Sequence, residues 1–403
     1  MTERHFDVVV VGAGAVGLAA ALAFSRGGFS TALVGPAPGR RDGRTAALLE
    51  GSLAFLRGLG IGPMLEQRSQ PLRTLRLVDD TASLFRPPPV EFRAAEIGLQ
   101  AFGRNIENAS LVELLASAVR ADPQVAWFEE LAVGLSGAEF DTVGLAGDRT
   151  ISASLVVAAD GRGSPLRAAA GLEARETRYP QVALTTILRH SRDHRDVSTE
   201  FHTGSGPFTL VPLPGRRSSL VWVNRGSVAE CLAALDDAGL ARAIETHSHG
   251  ILGRVEIDGP RGAVPLSTLR VTRLHAGRLV LAGEAAHAIP PIGAQGLNLG
   301  FADVALLVDL AKEARRSGLG AAPLGARYES ARSSDVGLRT LAVDGLNRAL
   351  LSGLLPIDAA RGFGLGLLAR IGPLRRAVMR AGLETGRFSG TGSAAGSRSA
   401  SAG

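Results

Sequence analysis

Cysteine is almost absent from the 403-residue chain, in which Cys231 is the single example. One thiol cannot build a disulfide framework, a Cys-x-x-C redox pair or a zinc site made of thiolates. We therefore predict no disulfide and no metal site. A lone thiol also agrees with a reducing compartment, so the expected location is the cytoplasm.

Lysine and aromatic residues are also scarce. Lys312 is the only lysine, and aromatic residues make up 4% of the chain. The formal net charge of +6 therefore comes from arginines, which are scattered along the sequence. Because nucleic-acid sites combine clustered basic residues with aromatic platforms, this composition predicts no nucleic-acid partner. The arginines are better suited to phosphate-containing cofactors or anionic lipid surfaces.

Glycines near the N-terminus form a nucleotide-binding pattern. Asp7-Val-Val-Val-Val11 predicts a buried parallel strand, and a helix is predicted from Leu18 to Arg26. Between them, Gly12 permits a tight turn, Gly14 lets the backbone approach a pyrophosphate, and Gly17 lets helix and strand pack closely. A signal peptide or membrane span is the weaker interpretation, because the apolar run is short and these glycines interrupt it.

The second strand, predicted from Ser30 to Val34, lacks the acidic residue that usually follows such a strand and binds ribose hydroxyls. Gly35 occupies that position, and the nearby Asp42 is predicted to lie in a loop. Arg41 and Arg44 can supply positive charge to a pyrophosphate. A solvated loop position is the alternative for Arg44.

A third pattern, Leu155-Val-Val-Ala-Ala-Asp160-Gly-Arg-Gly-Ser164-Pro-Leu-Arg167, runs from a predicted strand into an Asp-Gly turn. Asp160 at the strand end can bind sugar hydroxyls. Ser164 can cap the following helix, and Arg167 can reach a phosphate or lock the loop. Asp-Gly alone is a common turn, but its place between two other nucleotide patterns favours a cofactor role for Asp160 and Arg167.

The segment from Gly283 to Gly300, GEAAHAIPPIGAQGLNLG, is the most informative in the chain. A predicted strand leads into an acidic residue, a Pro-Pro turn follows, and small residues open a helix. A carboxylate can bind hydroxyls, while the N–H groups at a helix start favour an anion or an electron-rich ring atom. The cofactor-binding candidates in this segment are Glu284, Pro291, Gly293, Gln295, Gly296 and Asn298.

In this order the three patterns resemble the FAD-dependent aromatic hydroxylases with the para-hydroxybenzoate hydroxylase fold, and among them the ubiquinone-biosynthesis hydroxylases of the UbiH type. The resemblance extends from Asp7 to about Leu383. It implies that Asp160 touches both FAD and the nicotinamide nucleotide, and that Glu284 holds the ribityl or ribose hydroxyls. Arg44 matches an arginine that the family places against the cofactor.

The chain departs from the family pattern at three places. The family usually has Asp where this chain has Glu284, Ala-Gly where it has Gly293-Ala294, and Asn-Arg where it has Asn108-Ala109. A longer carboxylate and a lost arginine alter individual contacts with FAD rather than the identity of the cofactor.

The resemblance implies an α/β fold in which a Rossmann-like FAD-binding domain carries an inserted β-sheet substrate domain and C-terminal helices. The predicted boundaries are 1–72, 96–172 and 270–325 for the discontinuous FAD-binding domain, 73–95 and 173–269 for the substrate domain, 326–388 for the helical region and 389–403 for a disordered tail. Within the helical region, residues Arg361 to Leu383 are expected to pack on the FAD-binding domain as a helix pair, or else to form a peripheral membrane or partner surface.

The implied activity is hydroxylation of a polyprenylated phenol in ubiquinone biosynthesis. NAD(P)H would reduce FAD, and the reduced flavin would react with O2 to form a C4a-hydroperoxide that oxidises the aromatic ring. No second Gly-x-Gly-x-x-Gly follows a strand, so NAD(P)H is expected to bind transiently. The alternatives are a hydroxylase of small soluble phenols and a non-catalytic FAD-fold subunit of a quinone-synthesis complex. Association with such a complex, or with the inner membrane face, is a further expectation.

The sequence assigns no acid–base residue. His287 is expected to hold the turn before Pro290, with a catalytic role as the alternative. His202, on a predicted sheet strand, either faces the substrate or is half exposed. A prenyl tail cannot remain in water, so an apolar tunnel is predicted for it, with core packing as the alternative for the same residues. The candidate lining is Leu184, Ile187, Phe201, Phe208, Leu210, Val211 and Leu213.

Overall fold

The computed structural model describes residues 4–39, 43–81, 88–290, 295–317, 324–333 and 371–384. The strands are β1 (Arg4–Val11), β2 (Thr31–Val34), β3 (Thr45–Leu49), β4 (Ser69–Pro71), β5 (Thr74–Asp79), β6 (Val90–Arg93), β7 (Gly103–Glu107), β8 (Val125–Phe128), β9 (Ala132–Ser136), β10 (Thr142–Leu145), β11 (Arg149–Ala158), β12 (Ala174–His190), β13 (Val197–Thr203), β14 (Gly206–Leu213), β15 (Arg217–Arg225), β16 (Val255–Ile257), β17 (Gly262–Val271), β18 (His275–Ala276), β19 (Leu279–Leu281) and β20 (His287–Ala288). The helices are α1 (Ala15–Arg26), α2 (Glu50–Gly58), α3 (Gly62–Gln67), α4 (Asn108–Ala121), α5 (Pro165–Ala169), α6 (Gly226–Ala234), α7 (Asp237–His247), α8 (Gln295–Ser317), α9 (324–333) and α10 (Gly372–Glu384), with short 3₁₀ helices at Ala94–Ile97 and Gly283–Ala285.

Strand β1 lies inside the first sheet, where the four valines from Val8 to Val11 are at most 3% exposed. It pairs in parallel with β2 on one side and β11 on the other, and β11 pairs in parallel with β19. Helix α1 packs against both α4 and α8. A continuous apolar strand is typical of a parallel sheet whose faces are covered by helices. The predicted α/β class is therefore confirmed.

The second sheet is largely antiparallel, with the strand order β20-β17-β12-β15-β14-β13-β5-β6. Side chains alternate between its two faces. Helix α7 covers one face, here called the outer face, with Leu240 and Ile244. On the opposite, inner face, Ser219 Oγ accepts a hydrogen bond from Thr45 Oγ1 at 2.9 Å. The inner face therefore looks towards β3, which forms a three-stranded sheet with β7 and β4.

Helix α10 packs against the edge of the second sheet. Met379 is 6% exposed and joins an apolar cluster that includes Phe92 and Phe102. Arg375 Nη2 donates to Glu96 Oε2 at 2.6 Å. Helix α10 thus packs at this edge and not on the parallel sheet, whereas α9 packs on the core of the parallel sheet through Leu324 and Tyr328. Residues 334–370 and the predicted tail lie outside the described residues.

A buried carboxylate, Asp303 of α8, joins three segments of the chain. Its Oδ2 accepts hydrogen bonds from Gly283 N at 2.9 Å and His287 Nε2 at 2.8 Å, and its Oδ1 accepts one from Arg332 Nε at 2.6 Å. Burial alone would raise the pKa of Asp303, but the charges of His287 and Arg332 and these hydrogen bonds hold it below its ordinary value. His287 thereby holds the turn that leads to Pro290, which is the structural role expected for it.

We predict that Arg332→Met lowers the free energy of unfolding by about 3–5 kcal/mol at pH 7, because it leaves a buried carboxylate short of a partner. Urea denaturation measures this change. Because folding lowers the pKa of Asp303, its stabilising contribution is present above about pH 4 and is lost as the pH falls towards the folded-state value.

Arg327→Met, on the same helix, is the matched control. Arg327 is 45% exposed in its ion pair with Glu313, so its loss is expected to cost about 1 kcal/mol or less. Equal effects of the two substitutions would show that Asp303 does not depend on Arg332.

Candidate functional site

A cavity of about 540 Å³ lies at the carboxyl ends of β1, β2 and β11. Open parallel sheets bind their ligands at this edge, and pockets for small molecules occupy about 300–1,000 Å³. Its lining includes Gly12, Gly14, Gly35, Ala109, Leu131 and Asp160. Three of the predicted cofactor-binding residues, Gly12, Gly14 and Asp160, are therefore brought together here.

The glycines of the β1–α1 turn have different reasons to lack a side chain. A Cβ on Gly12 would lie 2.2 Å from the carbonyl oxygen of Ala159, and one on Gly17 would lie 1.8 Å from the carbonyl oxygen of Gly12. A Cβ on Gly14 would meet no atom within 4 Å. The fold itself thus excludes side chains at Gly12 and Gly17, whereas only a bound molecule would exclude one at Gly14.

The start of helix α1 borders the same cavity. Its N-cap, Gly14, supplies no side-chain cap, and the first turn contains no acidic residue. The first N–H groups of a helix lack partners within the helix and carry partial positive charge. Without a side chain to satisfy them, these groups form an anion site suited to a pyrophosphate.

The position usually taken by a ribose-binding acid cannot hold a side chain in this backbone. A Cβ on Gly35 would lie 2.8 Å from the backbone nitrogen of Ala13. Gly35 also accepts a hydrogen bond at its carbonyl oxygen from Trp127 Nε1 at 3.0 Å. The backbone of this turn therefore requires glycine at position 35 and excludes the usual acidic side chain. Arg41 and Asp42 lie outside the described residues.

One carboxylate oxygen of Asp160 accepts a structural hydrogen bond, and the other has no partner among the described residues. Its Oδ2 accepts a hydrogen bond from Leu166 N at 3.2 Å, while Oδ1 is buried and has no partner among the described residues. Burial raises the pKa of the Asp160 carboxyl. Buried acceptor atoms in folded proteins normally have a hydrogen-bond donor, and the hydroxyl of a sugar can supply that donor. This carboxylate therefore fits a dinucleotide such as FAD in the adjoining cavity.

Arg167 locks the Asp-Gly loop. Its Nη1 donates to the carbonyl oxygen of Ala285 at 2.9 Å and its Nη2 to that of Arg162 at 2.8 Å. Ser164 Oγ accepts a hydrogen bond from Arg167 N at 3.0 Å and caps helix α5. Of the two roles predicted for Arg167, the contacts favour locking the loop over reaching a phosphate.

The turn that carries Glu284 packs closely against α1 and α8. A Cβ on Gly300 would lie 2.6 Å from Cγ2 of Val16, and one on Gly283 would lie 3.2 Å from the same side chain. Glu284 itself is exposed. The turn that carries Glu284 therefore lies beside the first turn of α1.

Asn298 ties α8 to the segment that follows the Arg44 loop. Its Oδ1 accepts hydrogen bonds from Leu49 N at 2.9 Å and Ser52 Oγ at 2.6 Å, and its Nδ2 donates to the carbonyl oxygen of Ala47 at 2.8 Å. Its side chain thus positions the start of α8 against the segment from Ala47 to Ser52. Gln295 begins α8, a Cβ on Gly296 would meet no atom within 4 Å, and Pro291 and Gly293 lie outside the described residues.

Arg44 is exposed and borders a second, small cavity of about 20 Å³ together with Glu107, Ala109 and Arg217. Ala109 lines the large cavity as well. The arginine that the family usually has at this position would therefore stand between the two cavities. Arg217 donates from Nη1 to Glu107 Oε1 at 2.8 Å and from Nε to Asp258 Oδ2 at 2.7 Å. Burial acts against this charge, but both carboxylates raise the pKa of Arg217.

Sequence reasoning missed the Arg217 pairs because the three residues are far apart in the chain. The sequence shows only that Arg217 follows the short run Pro214-Gly-Arg216, and this pattern does not identify the partners of Arg217.

The predicted tunnel lining divides between the two faces of the second sheet. Four of its residues pack with Trp222 and α7 in the outer-face core, so the tunnel prediction is wrong for them: Leu184, Phe201, Phe208 and Leu210. Ile187, Val211 and Leu213 alternate with these residues and lie on the inner face. His202 also lies on the inner face and is 6% exposed, so it is not half exposed.

A glycine-lined cavity at the ends of parallel strands, beside a second antiparallel sheet, is the architecture of a flavoprotein, and the FAD binding domain family matches residues 5–334. The ubiquinone hydroxylase UbiL of Rhodospirillum rubrum is 33% identical over 393 residues, which cover 95% of this chain and 90% of that protein. The 3-demethoxyubiquinol 3-hydroxylase of Escherichia coli is 30% identical over 399 residues, which cover 94% of this chain and 99% of that protein. The chain belongs to the FAD-dependent aromatic hydroxylases of ubiquinone biosynthesis.

Solved structures agree with this fold. The p-nitrophenol 4-monooxygenase of Pseudomonas putida superposes with a TM-score of 0.80 over 97% of this chain and 100% of that chain, at 16% sequence identity. The fold and the FAD cofactor that the sequence patterns implied are confirmed. Among the described helices, none has both the length and the apolar content to cross a membrane.

We predict that Gly14→Val abolishes flavin retention while leaving the thermal stability of the FAD-free protein unchanged, because the new side chain enters only the cavity. Gly17→Ala is the matched comparison and should lower both flavin content and stability, since its Cβ meets the Gly12 carbonyl. Visible absorbance reports the flavin, and thermal denaturation after flavin removal reports the fold. A Gly14→Val protein that is purified with full flavin content would refute the assignment of the anion site.

Proposed function

We propose that this protein hydroxylates the ring of a polyprenylated phenol in ubiquinone biosynthesis, with FAD as its resident cofactor and NAD(P)H and O2 as co-substrates. The observation that carries the proposal is the nearly full-length similarity, at 33% and 30% identity, to two hydroxylases named for ubiquinone and demethoxyubiquinol. The described cavity supports the cofactor half of the proposal, and the inner face of the second sheet supports the substrate half.

Of the residues that would hold FAD, Gly14 and Asp160 line the large cavity. The start of α1 and the space beside Gly14 suit the pyrophosphate, and Oδ1 of Asp160 suits a sugar hydroxyl. Glu284 suits a second hydroxyl, and the start of α8 favours the negative charge of a reduced flavin ring. Bound FAD, once reduced by NAD(P)H, would activate O2 and supply the oxygen atom that enters the ring.

Part of the inner face forms an apolar floor. Val211, Val221 and Leu213 lie there, and Thr185 Oγ1 is buried without a partner among the described residues. An apolar surface with a few unsatisfied polar atoms suits a substituted phenol better than a small charged acid. The same surface keeps water away from the site of oxygen transfer.

We predict that the purified holoenzyme forms more product per NADPH consumed with a short-chain prenyl phenol than with para-hydroxybenzoate. The prenyl group fills the apolar site and excludes water, so less reduced oxygen is released as hydrogen peroxide. Product is measured by chromatography, NADPH by absorbance and peroxide by a coupled assay.

The opposite coupling pattern would replace the quinone-pathway assignment with that of a hydroxylase of small soluble phenols. FAD binding without NADPH oxidation in the presence of either phenol would identify a non-catalytic FAD-fold subunit. The full-length similarity to named hydroxylases favours the enzyme over the subunit.

Peripheral association with an anionic membrane forms part of the proposal, because a polyprenyl substrate is itself membrane-bound. Helix α10 presents the exposed Arg380, and Ile371 before it is 42% exposed. Arg375 is engaged by Glu96, so it belongs to the fold rather than to such a surface.

We predict that replacing Arg376 and Arg380 by Glu weakens sedimentation with vesicles containing anionic lipid by about tenfold or more, since each basic residue near such a surface contributes about 1 kcal/mol. The control variant replaces Arg178 and Arg189 by Glu and so has the same net charge as the test variant. These two arginine side chains are 83% and 61% exposed on the second sheet. If both variants lose vesicle sedimentation equally, or if the parent protein does not sediment with vesicles, then α10 only packs on the second sheet and does not bind a membrane.

A further inference from the structure

We infer that His202, held by Glu200, is the base that accepts the phenolic proton of the substrate. The inference rests on the proposed function, because it requires a phenol at the inner face of the second sheet. It adds a catalytic dyad that neither the sequence patterns nor the fold assigns.

The tautomer of His202 follows from its partner. His202 Nε2 lies 2.7 Å from Glu200 Oε1. An ionised carboxylate can only accept hydrogen bonds, so Nε2 carries the proton and Nδ1 presents a lone pair. That Nδ1 is buried and has no partner among the described residues. His202 therefore has a proton acceptor that nothing in the described part of the protein uses.

Glu200 is held in the orientation that this dyad requires. Its second oxygen, Oε2, accepts a hydrogen bond from Thr209 Oγ1 at 3.3 Å. The side chain of His202 is 8% exposed and that of Glu200 is 23% exposed. A carboxylate on the far nitrogen fixes the ring and stabilises the imidazolium that forms when Nδ1 takes a proton.

The register of the sheet places the dyad beside the apolar floor. Leu77, Glu200, Thr209, Val221 and Thr185 are successive partners across five strands, and they share the inner face. Val221 and Glu200 are two strands apart, or about 10 Å between backbones. His202 lies two residues further along β13 on the same face, between Asp79 of β5 and Pro207 of β14. Thr185, with its unpartnered hydroxyl, stands at the opposite end of the same row.

The other charged groups on this face are accounted for. Asp79 is directly across the ladder from His202, and its Oδ1 accepts a hydrogen bond from Thr81 Oγ1 at 2.6 Å. The arginines on this face, at 189, 217 and 225, stand at strand ends, and Arg217 is paired with Glu107 and Asp258. Along the central part of the described inner face, the titratable side chains therefore reduce to this dyad and Asp79.

The step is balanced as a proton transfer. The phenolic O–H bond breaks, its proton passes to Nδ1, and its electron pair stays on the phenolate oxygen. The phenolate ring is more electron-rich than the phenol, so it is the better acceptor of an electrophilic oxygen atom. Release of the product returns the proton from Nδ1 to solvent.

The test compares His202→Asn and Glu200→Gln with the parent holoenzyme over the pH range in which histidine and phenols titrate, using the short-chain prenyl phenol. We expect His202→Asn to lower kcat/KM for hydroxylation by about 100-fold or more near pH 7, the usual contribution of a general base. Its remaining rate should rise with pH as the phenol ionises in solution. Glu200→Gln keeps the shape of the carboxylate but not its charge. We therefore expect a smaller loss of kcat/KM, and we expect the acidic side of the pH profile of kcat/KM to shift to a different pH.

His190→Gln is the matched control. His190 is a buried strand histidine of β12, but both of its ring nitrogens are engaged, Nδ1 with the Arg192 carbonyl at 2.7 Å and Nε2 with Ser218 Oγ at 3.0 Å. It should change kcat/KM less than twofold per bound flavin. Unchanged rates and pH profiles in both dyad variants would overturn the inference while the proposed function stands. A parent that hydroxylates neither phenol would overturn both.

Discussion

The charge on Asp303 is the constraint on which the cofactor site depends. A buried carboxylate without partners is costly, so α8, the turn at Gly283 and helix α9 must all be in place before it is satisfied. Tyr328 adds to this arrangement by donating its hydroxyl to the Leu281 carbonyl at 2.9 Å, at the strand end that precedes the turn. The position of Glu284 beside the start of α1 therefore follows from an ion pair made on the other side of the turn.

Much of the cofactor site could be predicted from the sequence because its geometry is local. A strand, three spaced glycines and a helix leave few ways to build the β1–α1 turn. A Cβ at Gly12 or Gly17 would clash with the backbone for the reasons that the pattern implied. The same holds for Ser164, which caps α5 three residues before its partner. In these places residues that are close in sequence make the contacts, and their spacing carries the information.

The rest depends on contacts between distant segments. Leu210 and Val211 are adjacent and equally apolar, yet one packs under α7 and the other faces the cofactor side, because only the pairing of β14 with its neighbours decides which face is covered. Asn298 was expected at the cofactor, but its side chain is used by residues about 250 positions earlier in the chain, including Ala47, whose carbonyl it binds. The spacing of residues in a local sequence motif cannot predict a hydrogen-bond partner so far away in the chain.

The two tryptophans give this enzyme a pair of built-in optical probes with different surroundings. Trp127 Nε1 donates to the carbonyl oxygen of Gly35, which lines the cofactor cavity, so we expect the emission of Trp127 to respond when the cavity is filled. Trp222 lies in the outer-face core and stacks on His247, with ring centroids 4.8 Å apart. Burial lowers the pKa of His247, which favours the uncharged form of the ring that stacks on Trp222. Loss of the cofactor and loosening of the sheet can thus be followed separately in one fluorescence spectrum.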